Sequence, residues 1–211
     1  AANTVDATGR SSMNRLDLNT VLGWVPRGSK VLDLGCGDGA FLKRLCEERG
    51  AVGVGVDIDP DNLVSAVSKG LDVIQEDINE GLNCFTRYRF DVVILTHALQ
   101  ELTHPHLALE RMVHIGEEAI VSFPNFGHWR CRTHLGLTGH MPVSKAMPRS
   151  WYDTPNIHFC TVKDFEALCS DLRIDIIERA TVAGAAQKWL GKWWPNLFAS
   201  SAVYRIRRSA R

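Results

Sequence analysis

Short apolar runs and longer amphipathic stretches alternate along this chain. Apolar positions from Leu16 to Trp24 recur at helical spacing and stop at the turn Pro26-Arg27-Gly28, which predicts a leading helix. Lys30-Val31-Leu32-Asp33-Leu34 has the pattern of a buried strand, and a helix follows over Ala40 to Glu48. A second strand, Gly53 to Ile58, precedes a helix that Asp59 can cap and Pro60 can open, ending near Gly70. Leu71 to Gln75 and Phe90 to Leu95 give the third and fourth strands. A helix over Pro105 to Val113, opened by His104-Pro105-His106, leads to a fifth strand, Ala119 to Phe123.

This alternation predicts an α/β fold with a Rossmann-like, mostly parallel, seven-stranded sheet and right-handed crossovers. Pro124 to Cys160 breaks the rhythm. The stretch is long, rich in Gly, Pro, His and aromatic residues, and too apolar for disorder, so it is expected to be an inserted lid or interaction segment. Thr161 is placed to cap a helix over Val162 to Leu172, with Asp164 in its first turn. Strands at Ile174 to Arg179 and Ala202 to Ile206 complete the sheet. Residues 1–12 are expected to be a polar extension before a natural start at Met13, and residues 13–211 to make one domain containing the insertion at 124–160.

The first strand runs into Gly35-Cys36-Gly37-Asp38-Gly39, directly before a helix. Closely spaced glycines permit a tight turn and bring a ligand against bare backbone and helix amides. Gly35, Gly37 and Ala40 also fit the dinucleotide pattern G-x-G-x-x-A, so charge must separate the two readings. Asp33 and Asp38 would repel a pyrophosphate but favour the sulfonium and ammonium of S-adenosylmethionine, which leaves dinucleotide-dependent oxidoreduction a distant alternative. Asp57, ending strand two, is placed to accept from ribose hydroxyls, and Asp77, beyond strand three, from an adenine amino group. The bland alternative is that these acids cap helices and finish turns.

Val31 to Gly39 (VLDLGCGDG), Gly55-Val56-Asp57, Gln75-Glu76-Asp77-Ile78 and Phe90-Asp91-Val92-Val93 resemble the first four motifs of class I methyltransferases. In the second half, Ser122 to Arg132 (SFPNFGHWRCR), Gly139 to Val143 (GHMPV), Trp151 to Thr161 (WYDTPNIHFCT) and Trp194-Pro195-Asn196-Leu197 resemble the MetW family of methionine biosynthesis. With the charge argument above, the expected cofactor pocket comprises Asp33, Gly35, Cys36, Gly37, Asp38, Gly39, Asp57, Ile58, Asp77, Ile78 and Thr96, holding S-adenosylmethionine or S-adenosylhomocysteine. The MetW resemblance also implies homoserine O-acyltransferase as partner.

Two functions stay open: an activating, non-catalytic partner of that acyltransferase, which is favoured, and a methyltransferase acting on an unidentified small molecule. Thr96-His97-Ala98-Leu99-Gln100 stands where many nucleic-acid or protein amine methylases carry Asn/Asp-Pro-Pro-Tyr, which argues against those substrates. His97 is the candidate general base, with pocket lining or backbone bonding as equal alternatives. His128, His134 and His140 are evenly spaced but show no convergence, so no metal is expected. Aromatic residues beside Arg130 and Arg132 suit a closed lid or a partner surface.

Composition narrows the remaining classes. The 24 basic and 24 acidic residues cancel, so no global field draws the chain to nucleic acid or an anionic membrane, and the basic end Arg205 to Arg211 reads as a solvated tail. Six cysteines without a C-x-x-C pair fit a reducing cytoplasm, the small and polar residues 1–12 are not expected to act as a secretory leader, and no apolar run reaches membrane length.

Overall fold

The computed structural model describes residues 12–144, 149–182 and 193–210. Residues 1–11, most of the expected extension, lie outside them. Seven strands form one sheet: β1 (Lys30–Leu34), β2 (Val52–Asp57), β3 (Asp72–Gln75), β4 (Phe90–Thr96), β5 (Gly116–Pro124), β6 (Ile174–Val182) and β7 (Ser201–Arg208), in the order β3-β2-β1-β4-β5-β7-β6. β1 to β5 pair in parallel, whereas β7 runs antiparallel to both β5 and β6.

The helices are α1 (Ser12–Trp24), α2 (Ala40–Arg49), α3 (Pro60–Ser68), α4 (Pro105–Ile115), α5 (Trp129–Thr138), α6 (Val162–Asp171) and the short α7 (Pro195–Phe198). Period-two alternation sends successive strand residues to opposite faces. Val31, Val92 and Ile94 meet Val21 of α1 and Phe41, Leu42 and Leu45 of α2, while Leu32, Val93 and Leu95 meet Leu109 of α4 and Phe165 of α6. Asp59 caps α3 by accepting from the Asp61 amide at 2.9 Å, with Pro60 in the first turn. Thr161 and Asp164 form a reciprocal capping box at α6.

Three expectations change. The basic end is not a solvated tail, because Arg205 to Arg208 lie in β7 and Arg205 holds Glu118 through two contacts at 2.6 and 3.0 Å. The inserted segment contains helix α5, and α1 begins at Ser12. Asn125, 1% exposed, anchors the segment: its amide donates to the Ala199 and Asn196 carbonyls, and its oxygen accepts from the Gly127 and Val162 amides. Among the described residues, no helix is long and apolar enough to cross a membrane.

Candidate functional site

Parallel pairing of β3, β2, β1 and β4 brings their carboxyl ends to one edge. There the chain turns sharply after Leu34, with Gly35, Gly37 and Gly39 all in the left-handed region that side chains resist. The turn is pinned to β2, since the Cys36 amide donates to the Val56 carbonyl at 2.9 Å and the Gly37 amide to the Asp57 carboxylate at 2.7 Å. Beside it opens a cavity of about 570 Å³, within the range of small-molecule sites.

Gly35, Gly37, Asp57, Ile58, Asp77, Ile78, Thr96 and His97 line this cavity together. Asp57 also accepts from the Asp59 amide and the Asn62 side chain. Three of its roughly four acceptor positions are thus occupied, which leaves room for about one further donor. Asp77 accepts from the Asn79 backbone at 2.8 Å and side-chain amide at 3.0 Å. Both acids therefore finish turns while lining the cavity, so the functional and bland readings coexist.

The other sequence-selected residues lie elsewhere. Asp38 is turned away and held by the Lys69 ammonium at 2.8 Å. A Cβ on Gly39 would meet Leu71 and Ala66, so that glycine permits packing against α3 and does not line the large cavity. Asp33 and Cys36, both buried, line a second cavity of about 30 Å³ with Leu18, Phe41, Thr96 and His97. Burial and the neighbouring Asp33 raise the Cys36 thiol to about 12, so it stays protonated at neutral pH.

Asp59 and Glu76, given by sequence only as a helix cap and a motif position, and Glu101 add acid to the large cavity. Burial raises the Glu101 carboxyl above its usual range, against the opposing pull of Arg149 and His97. A cation is the ligand such a wall favours. Among the described residues, no cluster of His, Cys, Asp and Glu is arranged to hold a metal.

His97 has a φ of 58°, uncommon for a residue with a side chain. Its amide donates to the Ser122 carbonyl at 2.9 Å, and its Nε2 lies 3.2 Å from the Asp17 carboxylate of α1. The contact is close, but its direction misses hydrogen-bond alignment. Sequence reading missed Asp17, which lies far from the motifs and has no periodic signature of function.

The inserted segment stands beside the cavity and supplies none of its lining among the described residues. The Ile157 and His158 amides donate to the Gln100 carbonyl at 3.0 and 3.1 Å, behind the wall made by Ala98, Glu101 and Leu102. The segment thus buttresses the wall, and the expected cover over the cavity is not formed by the described residues. Trp129 is partly buried with Arg130 5.4 Å above its ring, and Arg132 is engaged by the Gly127 carbonyl. Trp151 and Tyr152, by contrast, are 72% and 76% exposed.

Solved structures share this architecture. A putative S-adenosylmethionine-dependent methyltransferase from Listeria monocytogenes superimposes with a TM-score of 0.67, 16% identity and coverage of 95% of this chain and 100% of that one. The [4+2]-cyclase SpnF superimposes with a TM-score of 0.63, 14% identity and coverage of 94% and 82%. Such identities establish the fold alone, and the cyclase shows that the fold does not dictate the reaction.

Sequence relatives are more specific. The bifunctional methionine biosynthesis protein MetXA/MetW of Rhodopirellula baltica is 34% identical over 206 residues, covering 93% of this chain but only 33% of that protein. The chain therefore spans about a third of this relative's length. The sequence pattern of the family described as methionine biosynthesis protein MetW matches residues 15–206. With the methyltransferase-type sheet and glycine turn beneath that match, this chain belongs to the MetW family of methionine biosynthesis.

Proposed function

We propose that the chain binds S-adenosylmethionine or S-adenosylhomocysteine and acts as an activating partner of homoserine O-acyltransferase. The observation that carries the ligand reading is the carboxylate-walled cavity, whose glycine turn is held by Asp57. Backbone at Gly35 and Gly37 can approach the amino-acid end, Asp57 can accept one ribose hydroxyl, Asp77 can receive the adenine amino group, and Ile58 and Ile78 offer apolar faces to the base. Among these lining residues no Lys or Arg opposes a cationic ligand.

The partner reading rests on family membership, and the Rhodopirellula relative, whose name joins MetXA with MetW, supports it. The partner would bear on the inserted segment. Trp129 and Arg130 form the stacked pair at its start, and Trp151 and Tyr152 supply exposed aromatic surface. Calorimetry with both ligands, with and without purified acyltransferase, tests the proposal. Asp57→Ala is expected to weaken the ligand by about 1–3 kcal/mol, roughly tenfold or more. Trp129→Ala with Arg130→Ala is expected to weaken the complex at least tenfold, about 1.4 kcal/mol. An unchanged dissociation constant removes that surface.

Methyl transfer to a small hydroxyl or amine compound is the second reading, favoured by His97 standing at the cavity wall beside Asp17. It separates from the first through label: methyl-labelled donor incubated with cell extract should give no protein-dependent product if the chain only binds.

A further inference from the structure

Asp17 is buried, yet among the described side chains no Lys or Arg stands within ion-pair distance of it. Its carboxylate accepts from the Ser201 hydroxyl at 2.8 Å and faces the His97 ring at 3.2 Å. A buried carboxylate held by one hydroxyl beside an imidazole keeps a strong field, because little solvent screens it. His97 lines both the 570 Å³ cavity and the 30 Å³ cavity between α1 and the glycine turn. The ring therefore stands where the two spaces meet, with Asp17 directly behind it.

That junction has a chemical meaning. Thr96 and His97, at the end of β4, line the same cavity as the glycine turn and Asp57, so an S-adenosyl ligand held there lies beside them. Asp38, one of the acids expected from sequence to favour a sulfonium, is neutralised by Lys69 and turned to α3. Asp33 remains at the small cavity, and Asp17 of α1 stands behind the His97 ring that lines it.

We infer that Asp17 is a specificity-determining residue, making the pocket favour the positively charged sulfonium of S-adenosylmethionine over the neutral thioether of S-adenosylhomocysteine. The inference rests on the proposed ligand class and adds how its two members are told apart. Asp17 acts through space across the His97 ring, and Ser201 fixes where its charge sits. Taking a separation of about 10 Å and an effective dielectric of about 20–40, Coulomb's law gives a change in preference of about 4- to 15-fold.

The test is calorimetry at one pH with S-adenosylmethionine and S-adenosylhomocysteine on wild type, His97→Gln, and His97→Gln combined with Asp17→Asn. Glutamine removes the imidazole and its own proton from the comparison, so the second substitution deletes one negative charge. The affinity ratio is expected to fall about 4- to 15-fold on that second step, with S-adenosylhomocysteine affinity changed less than about twofold. A purely structural role would weaken both ligands alike and leave the ratio unchanged, which overturns the inference while sparing the ligand assignment. Wild type binding neither ligand overturns both. Asp17→Ser, smaller and uncharged, replaces Asp17→Asn should the amide prevent folding.

Discussion

Replacing Gly39 by alanine tests whether this glycine serves packing, as the structure places it, or the ligand, as its motif suggests. Gly39 has a φ of 75°, where any Cβ costs roughly 1–2 kcal/mol. The added methyl would lie 2.5 Å from Leu71 Cδ1 and 2.9 Å from Ala66 Cβ. The leucine tip can swing away, but the alanine belongs to α3 and moves only with its helix. Overpacking adds about 1–2 kcal/mol, for a total of roughly 2–4 kcal/mol. For a domain of this size that is a fall of about 4–16 °C in Tm. Urea and thermal unfolding of Gly39→Ala measure it, and calorimetry on the folded protein should show ligand affinity less affected than in Asp57→Ala. A loss of stability below about 0.5 kcal/mol would refute the packing argument.

Asn125→Ala should cost about 3 kcal/mol or more, since it strips bonds from four backbone groups; hydrogen exchange should quicken around residues 126–128 and 162. Burial raises the Cys36 and Cys169 thiols to about 12 and Cys160 to about 11, whereas unfolded thiols ionise near 8.5. The unfolded chain then releases these protons first, so stability present below about pH 8.5 falls as pH rises toward 11–12. Urea midpoints measured across that range should decline, and less steeply in Cys169→Ala. Should labelled donor yield a small-molecule product, His97→Ala should abolish it, while activation of the acyltransferase by the same variant should persist.

Much of the sheet is legible in sequence because buried parallel strands are apolar runs separated by helix-length segments, and caps such as Asp59 and Thr161 announce themselves locally. Strand direction is less legible. Ala202 to Ile206 has the pattern of a strand, but nothing in its alternation states that β7 runs against β5 and β6. Helix α5 escapes because polar residues surround Trp129–Thr138 and its single buried side chain, Cys131, gives no periodic face.

The same division applies to the site. Gly35, Gly37, Asp57 and Asp77 sit in local strand-to-turn motifs, and topology brings them together. Glu101 comes from a short turn after β4, and Asp17 reaches His97 from α1; only the tertiary fold creates those neighbours. Asp38 shows the converse. Its motif position suggested ligand contact, but Lys69 from beyond α3 provides a nearby opposite charge and draws it away.

The central claim is that the cavity at the carboxyl edge takes an S-adenosyl ligand through Asp57. Its most direct measurement is calorimetric titration of the wild-type chain and of Asp57→Ala with S-adenosylhomocysteine. Saturable binding to wild type, weakened roughly tenfold or more in the folded variant, is the expected result. Overlapping titration curves for the two proteins, or no heat of binding to wild type at millimolar ligand, would contradict the account.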